Sequence, residues 1–420
     1  VQFQLNPEQL SAISAMEQFL RSGESFFLLS GSAGTGKTTC MKEFASRHPK
    51  SSIVYTAPTN KAVKVLQDTL TTPDFSPCCK TTFSLLGLRM EASGEVKKLK
   101  SANTIKLKEV DIIVVDEASM VGSSLWQEIL RANKQYHEIK WIFMGDSYQL
   151  PPVNELASPV WDAISSTAKL EQVMRFDNAL LQFATTIRSK VYHPAPSISI
   201  EDNHNHLEGV WNCKEDFQAR IKEAARAKRF GEDVKAIAWR NATVDKLNTI
   251  IRRELFREAD ILTWLPGDRI LLTAPAMDEN GEFIANTNEE GEVEDIALET
   301  HLDYPLTCLK LGVMLDSNRR VTFQLVHPNS SRAFEEIKKR KMEAAKAMPR
   351  AWKEFWQFVE LFHQVKHGYA ITAHRSQGST YLEAYVDWAD ILINSDRQEA
   401  FKCLYVACTR AKNKLFLGRI

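Results

Sequence analysis

Apolar residues in the first part of the chain fall into short unbroken runs: FFLL (26–29), SIVYTA (52–57), DIIVVDE (111–117) and WIFMGD (141–146). A turn and then a polar, helix-compatible stretch follows each run. Apolar runs without polar alternation make strands covered on both faces. Such strands, separated by helices, build a parallel sheet with helices on either side. One α/β domain is predicted here.

A second set of runs appears later. KAIAWR (235–240) precedes the helical pattern TVDKLNTIIRREL (243–255), and GYAITAHRSQG (368–378), EAYVDW (383–388) and KLFLG (414–418) complete the set. Its strands come from both ends of the second half, so a second α/β domain is predicted to be interrupted. The interruption, 264–327, is rich in turn signals: Pro266-Gly267-Asp268, Glu279-Asn280-Gly281, and Asn288 followed by Gly291. Short β-like runs, RILLT (269–273) and RVTFQLV (320–326), lie between them, which predicts a small all-β insertion. The stretch 335–366 reads as two helices broken near Pro349. Trp352, Phe355, Trp356, Val359 and Phe362 share one face of the second helix, a packing face or a stack for bases. Between 87 and 110 the core pattern fades, and LRMEASGEVKKL (88–99) reads as two short strands about a Ser93-Gly94 turn.

A length of 420 residues asks for two or three domains. Lys plus Arg and Asp plus Glu number 53 each, so any phosphate-tracking surface must be a local groove and not a whole-protein field. The seven cysteines form no Cys-x-x-Cys pair, and Cys78 and Cys79 are adjacent, a pattern of reduced thiols and not of structural zinc. No stretch approaches the ~18 consecutive apolar residues of a membrane helix, and the first ten residues lack the regions of a secretory leader. A cytoplasmic protein without membrane contact is expected.

The chemistry is concentrated in three places. GSAGTGKT (31–38) satisfies G-x-x-x-x-G-K-[ST] at every fixed position, between a strand and the helix-like TTCMKEFASR (38–47). Around Gly34, Thr35 and Gly36 the backbone N–H groups converge on phosphate oxygens, and the following helix start at Thr38 and Thr39 adds positive potential. Lys37 supplies charge for the β- and γ-phosphates, and the Thr38 hydroxyl is placed to ligate Mg²⁺. In IIVVDEAS (112–119), Asp116 ends a strand and holds Mg²⁺, while Glu117 is the candidate general base for the attacking water. In GDSYQLPPV (145–153), Gln149 brings an amide that both accepts from water and donates to phosphate. ATP and Mg²⁺ are the expected ligands.

DEAS (116–119) together with GDSYQLPPV resembles the superfamily-one helicases, and the rest of the chain follows that family in order. By this resemblance Gln9, in LNPEQLSAI (5–13), reads adenine. YTAPTNKAVKVL (55–66) and KTTFSLLG (80–87) resemble the first strand-contact motifs, which points to Pro58, Thr59, Asn60, Thr82 and Phe83. Arg175, in EQVMRFDN (171–178), and Arg410, in LYVACTRAK (404–412), match two arginines that reach the γ-phosphate across a cleft. ITAHRSQGST (371–380) supplies Thr372 and His374 as strand contacts and Gly378 as a nucleotide neighbour. Within the superfamily the chain looks like the RecD/Dda branch, which moves 5′→3′ on single-stranded DNA.

The resemblance implies an α/β fold of two RecA-like domains in tandem, with a hairpin (pin) insertion in the first and an SH3-like β insertion in the second. The expected division is 1–175, with the pin at 87–110, then 176–263 with 364–420, the β insertion at 264–330 and a helical segment at 331–363. The pin is a candidate wedge at a fork, with Lys97, Lys98 and Lys100 near phosphates and Met90 or Leu99 as candidate tip residues. The expected partners are single-stranded DNA and forked or tailed duplex, with single-strand-binding or replication proteins beside them and the chain acting as a monomer. Three other readings stay open: a translocase that displaces proteins with little unwinding, a P-loop kinase or other small-molecule NTPase, and an RNA helicase.

Overall fold

The computed structural model describes residues 5–72, 75–93, 96–101, 107–172, 179–193, 198–205, 207–256, 264–278 and 283–420. Arg175, Gly94 of the expected hairpin turn and the Glu279-Asn280-Gly281 turn lie outside them.

The first half runs α1 (Pro7–Arg21), β1 (Phe26–Gly31), α2 (Lys37–Arg47), β2 (Ile53–Ala57), α3 (Asn60–Leu70), β3 (Cys78–Thr81), α4 (Thr82–Leu85), β4 (Leu88–Ser93), β5 (Val96–Ser101), β6 (Ile112–Val115), α5 (Ser123–Gln135), β7 (Lys140–Gly145), α6 (Val160–Ala163) and β8 (Thr167–Leu170). Six of these strands pair in the order β3-β2-β6-β7-β1-β8, and every pairing is parallel. All four residues of β6 are buried, as expected of a central strand with helices on both faces. The capping box of Asn6 and Gln9, with Pro7 at the first helical position, fixes where α1 begins. β4 and β5 form a separate antiparallel hairpin, in register from Leu88↔Ser101 to Ser93↔Val96.

The second half continues with α7 (Ala179–Ser189), β9 (Asn203–His204), β10 (Gly209–Asn212), α8 (Phe217–Arg226), β11 (Val234–Ala238) and α9 (Asn241–Leu255). The insertion follows: β12 (Arg269–Leu272), β13 (Ala276–Met277), β14 (Phe283–Ala285), β15 (Glu290–Thr300), β16 (Thr307–Leu315) and β17 (Arg320–Val326). A helical arm, α10 (Ser331–Ala347) and α11 (Trp352–Glu360), breaks at Pro349. The chain ends with β18 (Val365–His367), β19 (Ala370–Thr372), α12 (Ala373–Ser376), β20 (Tyr381–Asp387), α13 (Trp388–Leu392), α14 (Arg397–Cys408) and β21 (Ala411–Gly418). The second sheet has the order β19-β11-β20-β21-β10-β9, parallel except for β9 at its edge.

The insertion is a five-stranded sheet, β17-β16-β15-β12-β18. Its last strand was expected in the second α/β domain, yet β18 pairs antiparallel with β12. The aromatic face of α11 is spent on packing. Phe355, Phe358 and Phe362 are buried, with the Phe358 ring 4.7 Å from Tyr304 and 5.3 Å from Phe334. α11 also lies alongside β4, so the arm backs the hairpin.

One buried charge cluster joins these parts. Glu290, at the start of β15, accepts from Lys61 Nζ of α3 at 2.6 Å and from Lys235 Nζ of β11 at 2.5 Å. Arg269 Nη2 lies 3.6 Å from the same carboxylate, and Lys61 also donates to the Tyr381 hydroxyl at 3.1 Å. Burial alone would raise the Glu290 carboxyl, but the ammonium groups of Lys235 and Lys61 outweigh it and hold it at about 2. Lys235 is pushed toward its neutral form. Burial lowers it to about 8, since it shares its one carboxylate with Lys61 and Arg269. The carboxylate is the secure member of the cluster and Lys235 the reluctant one.

Candidate nucleotide-binding site

The loop between β1 and α2 turns on glycines. Gly34 and Gly36 have φ of +80° and +84°, a left-handed conformation that side chains rarely adopt. A Cβ on Gly36 would also come within 2.3 Å of Gln9 Nε2. Gln9 is buried against the loop, its amide donating to Thr35 O at 3.1 Å while its Oε1 accepts from Asn6 N–H at 3.0 Å. Thr35 is buried and its hydroxyl donates to Ser32 O at 2.9 Å. Lys37 reaches back over the loop, with Nζ 2.7 Å from Gly31 O and 3.1 Å from Ser32 O. Thr38 is half-buried and Thr39 exposed.

Asp116 and Glu117 follow β6. The Glu117 N–H donates to Asp116 Oδ1 at 2.9 Å. Glu117 has φ of +52°, unusual for a residue with a side chain, and such strain collects at functional positions. Burial pushes both carboxyls up. Asp116 adds to the rise at Glu117, against the pull of Arg410 and Lys37. A glutamate made more basic in this way suits proton abstraction. The residues fit a magnesium–triphosphate ligand: a left-handed glycine cradle, an ammonium over it, and oxygen donors at Thr38 and Asp116 of the kind Mg²⁺ takes.

The second half reaches into this site. The Tyr405 hydroxyl, on α14, donates to Asp146 Oδ2 at 2.7 Å and accepts from the loop's Ala33 N–H at 3.3 Å. Burial and the Asp146 charge raise the phenol, so it stays a donor. Gln377 Nε2 donates to Ser119 Oγ at 3.0 Å, to Leu150 O at 3.3 Å and to Gln149 Oε1 at 3.4 Å. Gln149 is thereby buried between the halves. Arg188 of α7 stacks 3.8 Å from the Tyr148 ring, with Nε 3.9 Å from Asp146 Oδ1. Arg410 is buried, tied to Val406 O at 3.1 Å and Ser379 O at 3.0 Å.

The residues expected to contact the strand are spread over both domains. Thr59 caps α3 by accepting from Ala62 N–H at 3.2 Å, with Pro58 half-buried before it. Asn60 Nδ2 donates to Glu289 Oε1 of the insertion at 3.1 Å. Thr82 is fully enclosed and its hydroxyl is used on Thr56 Oγ1 at 3.2 Å; Phe83 beside it is half-buried. Thr372 caps α12, and His374 turns its Nε2 to within 3.4 Å of Glu399. Gly378 sits against α3. Its φ is +73°, and a Cβ there would lie 2.9 Å from Ala62 Cβ.

Sequence reasoning did not single out Gln377, Tyr405, Asp146 or Arg188. Gln377 and Tyr405 lie inside the segments it named, beside Gly378 and five residues before Arg410, and a polar side chain within a buried segment is the signal that marks them. Nothing in the sequence marks Arg188.

Residues 4–210 match the AAA domain family and residues 367–417 the UvrD-like helicase C-terminal domain family. Over 97% of its length the chain is 25% identical to the uncharacterized protein R530 of Acanthamoeba polyphaga mimivirus, 98% of which is covered. It is 23% identical, over 98% of its length and 98% of that protein, to the ATP-dependent DNA helicase dda of Enterobacteria phage T4. The Pif1 helicase from Bacteroides, solved with ADP-AlF3 and ssDNA, shares the fold at a TM-score of 0.53 and 16% identity, over 99% of this chain and 92% of that one. The two sheets are thus the two-domain fold of Pif1-like helicases. The chain belongs to the superfamily-one helicases, in the group of Dda, Pif1 and RecD proteins.

Proposed function

We propose that this chain is an ATP-dependent DNA helicase that moves 5′→3′ along single-stranded DNA and opens duplex, driven by ATP hydrolysis between its two α/β domains. The observation that carries the reading is the seam itself: Gln377 and Tyr405 of the second domain hydrogen-bond into the strand-end and loop residues of the first. A nucleotide site completed by a second domain converts occupancy into domain motion, as other γ-phosphate switches do.

In this scheme Lys37 and the loop N–H groups hold the phosphates, and Gln9 faces the base. Thr38 and Asp116 hold Mg²⁺, which when bound neutralises charge on the phosphoryl oxygens. Glu117 takes a proton from the attacking water and Gln149 orients it. Arg410, with Arg175, faces the charge that develops on the γ-phosphoryl group. A guanidinium there is worth on the order of 10³–10⁵ in rate. Pro58, Thr59 and Asn60 on one domain and Thr372 and His374 on the other grip the strand by its backbone. The β4–β5 hairpin is the wedge, braced by α11. The preference for DNA rests on likeness to the DNA helicases dda and Pif1, and the polarity on the resemblance of the sequence motifs to the RecD/Dda branch.

The test is hydrolysis with and without oligonucleotide, followed by unwinding of 5′-tailed and 3′-tailed duplexes. Strand-stimulated hydrolysis, absent in Lys37→Ala, with unwinding of the 5′-tailed substrate, is expected. Hydrolysis indifferent to strand would refute the motor, and opening of the 3′-tailed duplex alone would reverse the polarity.

A further inference from the structure

A cluster of unlike donors bridges α12 and α14. His374 stands on α12, while Glu399 and Cys403, four residues apart, share one face of α14. One ligand atom from each, an imidazole nitrogen, a carboxylate oxygen and a thiol sulfur, lies within 4.8 Å of the others. His374 Nε2 is 3.4 Å from Glu399 Oε1. Cys403 is fully buried and the other two are half-buried. Asp396 caps α14 by accepting from the Glu399 N–H at 3.0 Å, which fixes the first turn without engaging the Glu399 carboxylate.

We propose that His374, Glu399 and Cys403 bind a transition-metal dication of the zinc class. Tetrahedral bonds of ~2.0–2.3 Å place ligand atoms ~3.3–3.8 Å apart, so the cluster closes on a metal by side-chain rotation of about an ångström. Mixed nitrogen, oxygen and sulfur donors select Zn²⁺ or Co²⁺ over Mg²⁺, which prefers oxygen and water. The site is therefore chemically distinct from the oxygen donors Thr38 and Asp116. The thiol gives its proton to solvent as the metal–sulfur bond forms. Three protein ligands leave a fourth position for water. Occupancy ties α12 to α14, which leads into Arg410. The proposal does not depend on the helicase reading.

The experiment is a Co²⁺ titration of the reduced full chain without nucleotide, in excess Mg²⁺. One equivalent is expected to bind, with tetrahedral visible bands and a thiolate-to-cobalt charge-transfer band in the near ultraviolet. Cys403→Ser loses the charge-transfer band, Glu399→Gln weakens binding, and a variant with both Cys78→Ser and Cys79→Ser keeps the band. Zn²⁺ raises the melting temperature of the parent and not of Cys403→Ser. The proposal is overturned by the absence of a charge-transfer band at one equivalent, by its survival in Cys403→Ser, or by its loss with Cys78 and Cys79. Should Cys403→Ser not fold, parental cobalt affinity in Glu399→Gln overturns it equally.

Discussion

The Tyr405 hydroxyl serves two groups at once, taking the Ala33 N–H and giving its own proton to Asp146. Removing that one oxygen leaves an acceptor and a donor unpaired in a buried seam. Hydrogen bonds to charged groups are worth about 1.5–3 kcal/mol, so Tyr405→Phe is expected to lower kcat for strand-stimulated hydrolysis by about 10-fold or more. Affinity for single strands should hardly change, because Tyr405 lies on the nucleotide side of the seam. Steady-state hydrolysis against ATP and oligonucleotide concentrations separates the two. A Phe variant with parental kcat would reduce Tyr405 to a packing residue. Glu117 belongs to the same scale. Its backbone is left-handed, with Ala118 and Ser119 buried beyond it, a conformation that the sequence, with only a pair of acids at a strand end, did not show.

Among the elements, the β4–β5 hairpin is the clearest case of a separable part. Among the described residues it pairs only with itself in the sheet topology, and it is backed by α11. Deleting 91–98 is expected to abolish duplex opening and to leave strand-stimulated hydrolysis near the parental rate, read by a forked-substrate assay beside an ATPase assay. Opening that survives the deletion would remove the wedge role. The hairpin was legible because its apolar pattern lapses between two strong strands, and β1, β2, β6 and β7 were legible because central strands need apolar residues on both faces. The glycine loop was legible for a related reason: phosphate binding constrains neighbouring residues to a fixed spacing. β18 was not. Three residues of mixed character carry no period, and only the exposed edge of β12 decides where they pair. The cross-seam contacts were hidden by distance, with Ala33 and Tyr405 372 positions apart and Gln149 and Gln377 228 apart.

Across the whole molecule the cluster at Glu290 governs how the parts are held. Its carboxyl, at about 2 in the fold, lies below the ~4.3 of an unfolded glutamate. A depressed carboxyl stabilises fully above the unfolded value and loses that contribution as pH falls through the folded one, so the window is from about pH 4.5 down to about pH 2. Glu290→Gln strands the Lys235 ammonium and is expected to cost about 3–5 kcal/mol near neutral pH. Adding Lys235→Met should return part of that loss, since the more deeply buried of the two ammonium groups left without their acid is then gone. Urea midpoints of the three proteins at about pH 7 and about pH 3 check the claim; the gap between parent and Glu290→Gln must narrow in acid. A gap independent of pH would mean that the cost comes from shape and not from charge.

The same carboxylate bears on how far the insertion behaves as a module. It is contributed by β15, while its cations stand on α3 and β11, and the sheet that carries β15 is closed by a strand from beyond the helical arm. Cutting out 264–330 would orphan β18 and leave two lysines facing each other. A chimera that borrows this insertion from a relative must bring an acid at position 290 and keep its own 365–367, or the graft arrives without its anchor.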